Sequence, residues 1–335
     1  MTTLWQSEMA QAVRDPAELL GLLELDARWL EPAKRAAAVF PLRVPRGFLA
    51  RMRKGDPRDP LLRQVLPLGE ELLDVPGYGK DPVGDMPSLA ARGLLHKYRG
   101  RVLLIATGAC GVHCRYCFRR HFPYADETAR GDDWREALDY LRVATSVNEV
   151  ILSGGDPLTL SDERLGAFAT ALQGIPHIKR LRIHTRQPVV LPSRVDDALL
   201  GWLSACTLQK VVVLHMNHGR EMDPALKQAC ARLKGVGVTL LNQSVLLMGV
   251  NDSADALAGL SEALADAGVL PYYLSLLDPV AGAAHFDVPE ARAVEIMAEL
   301  RTRLPGYLVP RLVREVPGAP SKMPISGPAH VTDMD

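Results

Sequence analysis

The sequence predicts an α/β fold, a partial (β/α)6 barrel preceded by an irregular helical N-terminal extension. Two observations support this prediction. From residue 101 onward, continuous apolar runs alternate with segments of helical periodicity, which is typical of a parallel sheet covered by helices. The first 95 residues instead contain ten prolines that interrupt short helical patterns. Because the functional groups of such barrels follow the strands, we expect the chemically active residues at the carboxyl ends of the strands.

Apolar runs predict the individual strands. They lie at residues 101–107, 148–154, 180–185, 210–216, 237–244 and 270–277, and the segment 304–314 is a candidate for one more. Helices are predicted where apolar residues recur at i, i+3, i+4 and i+7. The clearest sets are Trp134, Ala137, Leu138 and Leu141, and Leu165, Phe168, Ala169 and Leu172. Ser161 is a suitable N-cap for the second of these helices, and further helices fit residues 195–205, 223–234, 253–267 and 288–303.

These patterns divide the chain into two regions. Residues 1–95 are predicted to be a Pro-rich helical extension that packs on the core rather than a free domain. Residues 96–335 are predicted to form the barrel and a C-terminal segment with Lys322 in a Gly- and Pro-rich loop. Judged from this loop alone, Lys322 is more commonly a solvated surface group, although such a lysine can form a Schiff base with an aldehyde cofactor.

Charge and hydropathy exclude several classes of protein. The formal net charge is zero and no long run of like charge occurs, so we expect neither nucleic acid nor a membrane surface as partner. No apolar run reaches the length of about 18 residues that a membrane helix needs. The first residues lack the layout of a secretory signal. A cytoplasmic protein is therefore expected.

Three of the five cysteines form a motif directly after the first predicted barrel strand. Cys110, Cys114 and Cys117 are spaced C-x3-C-x2-C. Three thiolates of one loop can bind three irons of a 4Fe-4S cluster and leave the fourth iron open to a small molecule. A structural zinc site is the alternative, but no second C-x2-C supplies its remaining ligands. Cys206 and Cys230 stand alone and are expected to be buried, unreactive thiols.

The motif, with Tyr116 before its last cysteine, resembles that of the radical SAM superfamily, in which the open iron binds S-adenosylmethionine (SAM). The expected fold is then a partial barrel of the radical SAM type. After the next predicted strand comes Gly154-Gly155-Asp156. It is similar to the GGE-type motif that contacts the methionine amino group of SAM, with Asp in place of Glu. Considered alone, these residues could form an ordinary turn.

From about residue 40 onward, the chain also resembles lysine 2,3-aminomutases. The matching segments are FPLRVPRGF, HKYRGRVLLIATGAC, CRYCFRRHFPY, ILSGGDPLTL, RIHTRQPVVLPSRV, LHMNH, LLNQSVLLMGVND, PYYLSLLDPVAGAAHF and VREVPGAPSK. The resemblance implies that Lys322 carries pyridoxal phosphate (PLP) as the catalytic lysine. The family has His where this chain has Tyr116.

The same resemblance implies the remaining site residues. Arg119 corresponds to the arginine that binds the substrate carboxylate. Asp278 corresponds to one of two acids that bind the ε-ammonium of L-lysine, and Glu315 stands where the family has the other, an aspartate. The rest are assigned in pairs: Arg186 and Tyr98 to the PLP phosphate, and His215 and Gln243 to SAM. Without the resemblance, Arg186 reads as a surface ion pair, Tyr98 as a core ring and His215 as a strand end.

The predicted activity is conversion of L-lysine to β-lysine, in the R form, by a SAM-derived radical and PLP. The chain ends 13 residues after Lys322 and resembles the short bacterial aminomutases that supply (R)-β-lysine for modification of elongation factor P. The implied partners are L-lysine, a flavodoxin or ferredoxin as electron donor, and elongation factor P with its lysyl ligase. Three alternatives remain: an aminomutase for glutamate or arginine, a PLP-independent radical SAM enzyme that acts on RNA or protein, and a non-enzymatic iron–sulfur or zinc module.

Overall fold

The computed structural model describes residues 2–128 and 134–326 and contains one mixed sheet of ten strands. The strands follow one another in the sheet in chain order. They are β1 (Leu89–Ala91), β2 (Leu94–Tyr98), β3 (Arg101–Thr107), β4 (Glu149–Gly154), β5 (Arg180–Thr185), β6 (Gln209–Leu214), β7 (Thr239–Val245), β8 (Leu270–Ser275), β9 (Arg311–Arg314) and β10 (Met323–Pro324). Strands β3 to β9 run parallel. Between the described residues of β1 and β10 no pairing closes the sheet, as a partial barrel requires.

The predicted fold class is confirmed, and all six predicted barrel strands are present as β3 to β8. The candidate strand within 304–314 is also present as β9, which adds a seventh parallel strand. The hairpin of β1 and β2 was not predicted from the sequence. In the chain it spans the predicted boundary between the helical extension and the barrel. Strand β2 pairs antiparallel with both β1 and β3. The sequences of its strands, LAA and LLHKY, show neither an apolar alternation nor a long apolar run that would indicate a strand.

Helices cover the parallel strands and form the extension. They are α1 (Leu4–Ala10), α2 (Pro16–Leu22), α3 (Leu30–Val39), α4 (Arg46–Leu49), α5 (Pro60–Arg63), α6 (Tyr124–Glu127), α7 (Arg135–Val143), α8 (Asp162–Gln173), α9 (Gln187–Val190), α10 (Asp197–Ala205), α11 (Pro224–Gly235), α12 (Ala254–Asp266) and α13 (Glu290–Arg303). As predicted, the Ser161 side chain caps α8 by accepting from the Arg164 amide. Trp134 lies one residue before α7, and its ring packs edge-on against Phe168. No helix in the described ranges has the length and apolar composition of a membrane span.

The main core lies between the sheet and helices α7, α8, α10, α11 and α12. A second apolar cluster joins the extension to the barrel. Its members from the extension include Leu19, Phe48 and Leu62, and its members from the barrel include Val112 and Leu191. Val112 belongs to the loop that carries the three cysteines, so the extension packs directly on that loop.

A buried ion pair network fixes the same loop. The Glu71 carboxylate accepts from Arg115 Nε at 2.8 Å and Nη2 at 2.6 Å, and from Arg120 Nη2 at 2.7 Å. All three side chains are at most 1% exposed. Arg115 and Arg120 stand on either side of Cys117 in the chain. One carboxylate of the extension thus holds the cysteine loop at two points.

We expect Glu71→Gln to lower the free energy of unfolding by about 3–5 kcal/mol, because it leaves two buried guanidinium groups without their anion. Glu31→Gln is the matched control: Glu31 forms an exposed pair with Lys34, and its loss should change stability by less than about 0.5 kcal/mol. Urea denaturation of both variants measures the difference. Equal midpoints for the two variants would show that the network does not stabilise the fold.

Candidate active site

One cavity of about 260 Å³ lies at the carboxyl ends of the parallel strands, and all fourteen predicted site residues line it. They are Tyr98, Cys110, Cys114, Cys117, Arg119, Gly154, Gly155, Asp156, Arg186, His215, Gln243, Asp278, Glu315 and Lys322. Gly154 ends β4, and Arg186 and His215 directly follow β5 and β6. Asp278 and Glu315 lie beyond the ends of β8 and β9. These candidate residues thus lie where the sequence predicts them, after the strands, whereas Tyr98 and Gln243 belong to β2 and β7 themselves.

The three motif cysteines are free thiols in the loop after β3 and are partly accessible from the cavity. The extension positions this loop through its backbone: Arg43 donates to the Cys110 carbonyl at 2.8 Å, and the His113 amide donates to the Arg43 carbonyl at 3.0 Å. Burial raises the pKa of the Cys117 thiol to about 11, so a metal must displace its proton. Cys206 and Cys230 are buried elsewhere, as expected.

In the described ranges no three His, Cys, Asp or Glu side chains converge as ligands of a single metal ion. A mononuclear zinc site requires four ligands within about 2.0–2.3 Å of one point. A 4Fe-4S cluster has a different requirement, since each of its irons needs only its own thiolate. Three cysteines around one cavity wall fit the second requirement.

Gly154 and Gly155 allow the strand end to approach the cysteine loop. A Cβ on Gly155 would lie 2.4 Å from the carbonyl oxygen of Ala109, the residue before Cys110. A Cβ on Gly154, whose φ is +114°, would lie 2.7 Å from the Thr107 carbonyl oxygen. The Gly155 amide donates to the Thr107 carbonyl at 2.6 Å, and the Asp156 amide donates to the Ala109 carbonyl at 2.7 Å. Gly154 and Gly155 are thus required because the end of β4 lies against the backbone of the cysteine loop, where a side chain would not fit.

The Asp156 carboxylate is occupied by the protein. Its Oδ1 accepts from the Leu158 amide at 3.1 Å and from Thr185 Oγ1 at 2.7 Å. Its Oδ2 accepts from the amides of Arg186 and Gln187 at 2.7 and 2.8 Å. These four bonds use the four acceptor positions of a carboxylate, so Asp156 joins the turns after β4 and β5. Its predicted contact with the amino group of SAM stays a prediction and would have to replace one of them.

We expect Gly155→Ala to reduce the iron bound per chain after anaerobic reconstitution, because the methyl group would push the Ala109 backbone away and displace Cys110. Gly201→Ala is the control, since a Cβ on Gly201 of α10 meets nothing within 4 Å. Circular dichroism should show both variants folded. Full iron content in Gly155→Ala would contradict this role for the motif.

Arg119, the predicted carboxylate-binding residue, is held by a buried acid that the sequence did not reveal. Its Nε donates to Asp85 Oδ2 at 2.7 Å and its Nη1 donates to Ser153 at 3.2 Å. Burial alone would raise the pKa of Asp85, but Arg119 and Lys97 lower it below its ordinary value. Lys97 contacts the other Asp85 oxygen at 2.6 Å. The Nη2 group of Arg119 takes no part in these contacts.

Lys322 lines the same cavity as the two predicted acids. Its Nζ is 2.8 Å from Glu315 Oε2, and the Tyr98 hydroxyl donates to Glu315 Oε1 at 2.5 Å. Burial, which would raise the pKa of Glu315, is outweighed by these partners, so its pKa is lowered. Burial raises the pKa of Asp278 to about 6, although Lys322 opposes this shift. The structure therefore brings the lysine and both acids together.

Arg186, for which the resemblance predicts a contact with the PLP phosphate, has protein partners in the structure, and the phosphate contact stays a prediction. Its Nη1 donates to Cys114 Sγ at 3.0 Å and to the Tyr116 hydroxyl. Its Nη2 donates to Gln64 Oε1 at 2.7 Å and pairs with Glu221 Oε2 at 2.9 Å. A phosphate would have to replace these partners. The expectation of an ion pair was correct, but the pair is buried rather than at the surface.

Gln243, which was predicted near SAM, and Ser275, which was not, have polar atoms without a partner in the described part of the cavity wall. Gln243 Oε1 and Ser275 Oγ are buried in the cavity wall without a hydrogen-bond partner among the described residues. His215 Nε2 lies 3.4 Å from His184 Nδ1, and burial lowers the pKa of His215 to about 4. The imidazole is therefore neutral at neutral pH. Unpartnered buried acceptors indicate a polar ligand at this position.

Several polar residues of the cavity wall were not assigned from the sequence, among them Asp85, Lys97, Arg101 and Ser275. The guanidinium of Arg101 lies 4.5 Å from the centre of the Tyr98 ring. It is thus a cation in the wall that an anionic ligand could contact. Lys97 lies on β2 and Arg101 begins β3, and the basic character of the segment HKYRGRV was the available signal.

The fold and the cysteine loop define a class of protein, and the comparison with known families agrees. Residues 104–258 match the model of the radical SAM superfamily. Membership implies a 4Fe-4S cluster and SAM as cofactors. The three thiols, the unpartnered acceptors and the cavity between them fit these groups.

Curated relatives narrow the class. The chain is 52% identical over 322 residues to the L-lysine 2,3-aminomutase of Escherichia coli (strain K12), which covers 96% of this chain and 94% of that protein. It is 45% identical over 318 residues to the enzyme of Haemophilus influenzae, with 95% and 94% covered. For the enzyme of Acetoanaerobium sticklandii, identity is 33% over 332 residues, with 96% and 78% covered. The chain belongs to the L-lysine 2,3-aminomutase family, whose further cofactor is PLP.

Proposed function

We propose that this protein is an isomerase that converts L-lysine to β-lysine, in the R form. One observation carries the assignment of substrate: the acid end of the cavity already binds an alkyl ammonium, that of Lys322, at 2.8 Å from Glu315. The ε-ammonium of a substrate lysine is the same chemical group. It could take this position when the Lys322 side chain is directed away from Glu315.

The cavity wall offers partners for both charged groups that lysine would present, its carboxylate and its ε-ammonium. Arg119 is held by Asp85 and Ser153 with its Nη2 unused, and a guanidinium fork suits a carboxylate. Asp278 and Glu315 supply negative charge for the ammonium at the other end. A glutamate substrate would place its own carboxylate against both acids, which is repulsive. Arginine remains a candidate, because it carries a cation at that end.

The bound groups supply the chemistry and the chain supplies their placement. The cluster and SAM provide a 5′-deoxyadenosyl radical, and PLP provides a π system for migration of the amino group. Cys110, Cys114 and Cys117 would hold the cluster, and Lys322 would hold PLP. Arg119 and Asp278 fix the substrate at both ends, which presents its carbon 3 in a single orientation. Ligands that fill the cavity would exclude water from the reactive species.

We further propose the cellular setting. The product would serve modification of elongation factor P through its lysyl ligase, with a flavodoxin or ferredoxin as electron donor, in the cytoplasm. The resemblance of the chain to the short bacterial aminomutases supports this setting. Incubation of the product with the ligase and elongation factor P, followed by mass spectrometry of the factor, tests the transfer.

The decisive test of activity is an anaerobic assay of cluster-reconstituted protein with dithionite, SAM, PLP and L-lysine, with products separated by chiral chromatography. We expect (R)-β-lysine from the native protein. Lys322→Ala should form no product and lose the visible absorbance of the PLP imine. The exposed Lys34 supplies the control variant Lys34→Ala, which should behave as the native protein.

Other outcomes identify the alternatives. Parallel assays with arginine and glutamate measure substrate preference. SAM cleavage without change to any amino acid would refute the proposed substrate. If Lys322→Ala also left PLP binding unchanged, the result would favour a PLP-independent radical SAM enzyme. Bound metal without SAM cleavage would favour a non-enzymatic module.

The raised pKa of Asp278, about 6, predicts a pH dependence of substrate binding. Above this pH the carboxylate is charged and attracts the ε-ammonium; below it the neutral acid does not. Glu315, whose pKa is lowered, stays ionised through this range. We expect the affinity of the PLP-loaded protein for L-lysine to fall as pH decreases through about 6. The loss of one charged hydrogen bond is worth about 1.5 kcal/mol, or roughly tenfold in affinity.

Isothermal titration calorimetry at several pH values measures this effect. Asp278→Asn is the matched variant, because it should bind lysine about tenfold more weakly at neutral pH and lose the dependence. A native profile that is flat from pH 5 to 8, or one retained in Asp278→Asn, would assign the pH dependence to another group.

A further inference from the structure

The loop after β8, residues 276–287 (the β8 loop), carries Asp278 and is bound at its backbone by two other parts of the chain. In the extension, the Gly79 amide donates to the Pro279 carbonyl and the Gly79 carbonyl accepts from the Ala281 amide, both at 2.9 Å. Further donors to this backbone come from the cysteine loop. The segment that follows Asp278 therefore lies between the extension and the cysteine loop.

Two consecutive side chains of the cysteine loop donate to two consecutive carbonyls of the β8 loop. Arg120 Nη1 donates to the Gly282 carbonyl at 3.0 Å, and His121 Nε2 lies 3.0 Å from the Ala281 carbonyl oxygen. Because a carbonyl only accepts, His121 carries a proton on Nε2 in this contact. Arg120 Nη2 in turn donates to Glu71 at 2.7 Å. The extension thus fixes one of the two donors.

The two loops approach each other closely at Gly282. A Cβ on this residue, whose φ is +90°, would lie 2.9 Å from Arg120 Nη1 and 3.2 Å from the Glu71 carbonyl oxygen. Arg120 has little freedom to move aside, because its side chain is 1% exposed and paired with Glu71. The contact therefore requires glycine at this position.

Apolar side chains extend the contact between the two loops. Tyr116 and Phe118 stand on either side of Cys117 in the chain and pack against an apolar group of the β8 loop. The rings of Tyr116 and Phe286 meet edge-on with their centroids 6.2 Å apart. The buried members of this group from the β8 loop are Leu277, Val280, Ala283 and Phe286. The loop that carries the cysteines and the loop that carries Asp278 thus pack as one unit.

We propose that Arg120 and His121 are positioning residues for Asp278, and that through them an iron–sulfur cluster on the cysteine loop increases the affinity of the cavity for the substrate ammonium. The inference rests on the proposed function, in which the three cysteines bind the cluster and Asp278 binds the ε-ammonium of L-lysine. Neither Arg120 nor His121 lines the cavity, so both act through the β8 loop.

The physical reason is the order that one loop imposes on the other. Bonds from three thiolates to the cluster would restrict the cysteine loop, and with it the donors that it presents to the β8 loop. A substrate that binds Asp278 then bears less of the entropy of ordering that loop. The coupling is reciprocal in free energy, so bound substrate would also stabilise the cluster-loaded form.

The test is isothermal titration calorimetry of L-lysine with the PLP-loaded protein, carried out anaerobically without SAM, with and without the reconstituted cluster. We expect the dissociation constant of the native protein to be at least about fivefold lower with the cluster, as for typical couplings between two sites. In His121→Leu, which lacks the donor, we expect the ratio of the two constants to fall towards one.

Two further variants are controls. His121→Gln should keep the native ratio, because its amide nitrogen can donate to the same carbonyl. His177→Leu removes an equivalent bond outside the cavity, since His177 Nε2 lies 2.9 Å from the Leu141 carbonyl oxygen, and it should also keep the native ratio. None of these side chains lines the cavity, so the visible absorbance of the PLP imine should be the same in every variant.

The outcomes separate this inference from the proposed function. If the native protein converts L-lysine but binds it equally with and without the cluster, the inference is overturned and the proposed function stands. A native ratio in His121→Leu also overturns it. If that variant retains no iron, Arg120→Lys decides, because one ammonium cannot replace the fork between Glu71 and Gly282, and a native ratio in it overturns the inference. A native protein that binds no L-lysine in either form refutes the proposed function, and the inference with it.

Discussion

The buried carboxylate of Glu71 is the interaction on which the site depends. It comes from the irregular extension and binds two arginines that flank Cys117. Desolvation of such ions is costly, and the cost is offset because each oxygen accepts at least two hydrogen bonds, one of them from the Leu68 amide. The cysteine loop, residues 108–123, contains no helix or strand of its own. The extension gives it a defined shape.

The same construction recurs around the cavity. Each of two cations that face the interior is backed by a buried acid: Arg186 by Glu221, and Arg119 by Asp85. An acid behind a guanidinium fixes its orientation before a ligand arrives, so the ligand does not bear the entropy of ordering it. Because the carboxylates are shielded from solvent, these contacts are also insensitive to salt compared with surface pairs.

Lys97 lies between two acids of the cavity wall, Asp85 and Glu315. It lies 2.6 Å from Asp85 and 3.8 Å from Glu315. Positive and negative groups therefore alternate from Arg119 through Asp85 and Lys97 to Glu315. Such alternation lets several charges share a small volume, because each has an opposite neighbour. Among the residues that the structure describes, none forms an ion pair with Asp278, and burial raises the pKa of Asp278 to about 6.

The sequence by itself determined the strands of the barrel and the cysteine motif, because both depend on local patterns. Apolar runs mark strands through burial, and the cysteine and Gly-Gly-Asp motifs directly follow two of them. The six central strands and the cap at Ser161 were accessible in this way, whereas the other cavity residues were assigned through the resemblance to lysine 2,3-aminomutases. Only the tertiary structure decided which polar groups are already paired. Asp85 and Glu221 lie far along the chain from Arg119 and Arg186, and no local pattern encodes such a pairing. For the same reason, the contact of Arg186 with Cys114 could be seen only in three dimensions.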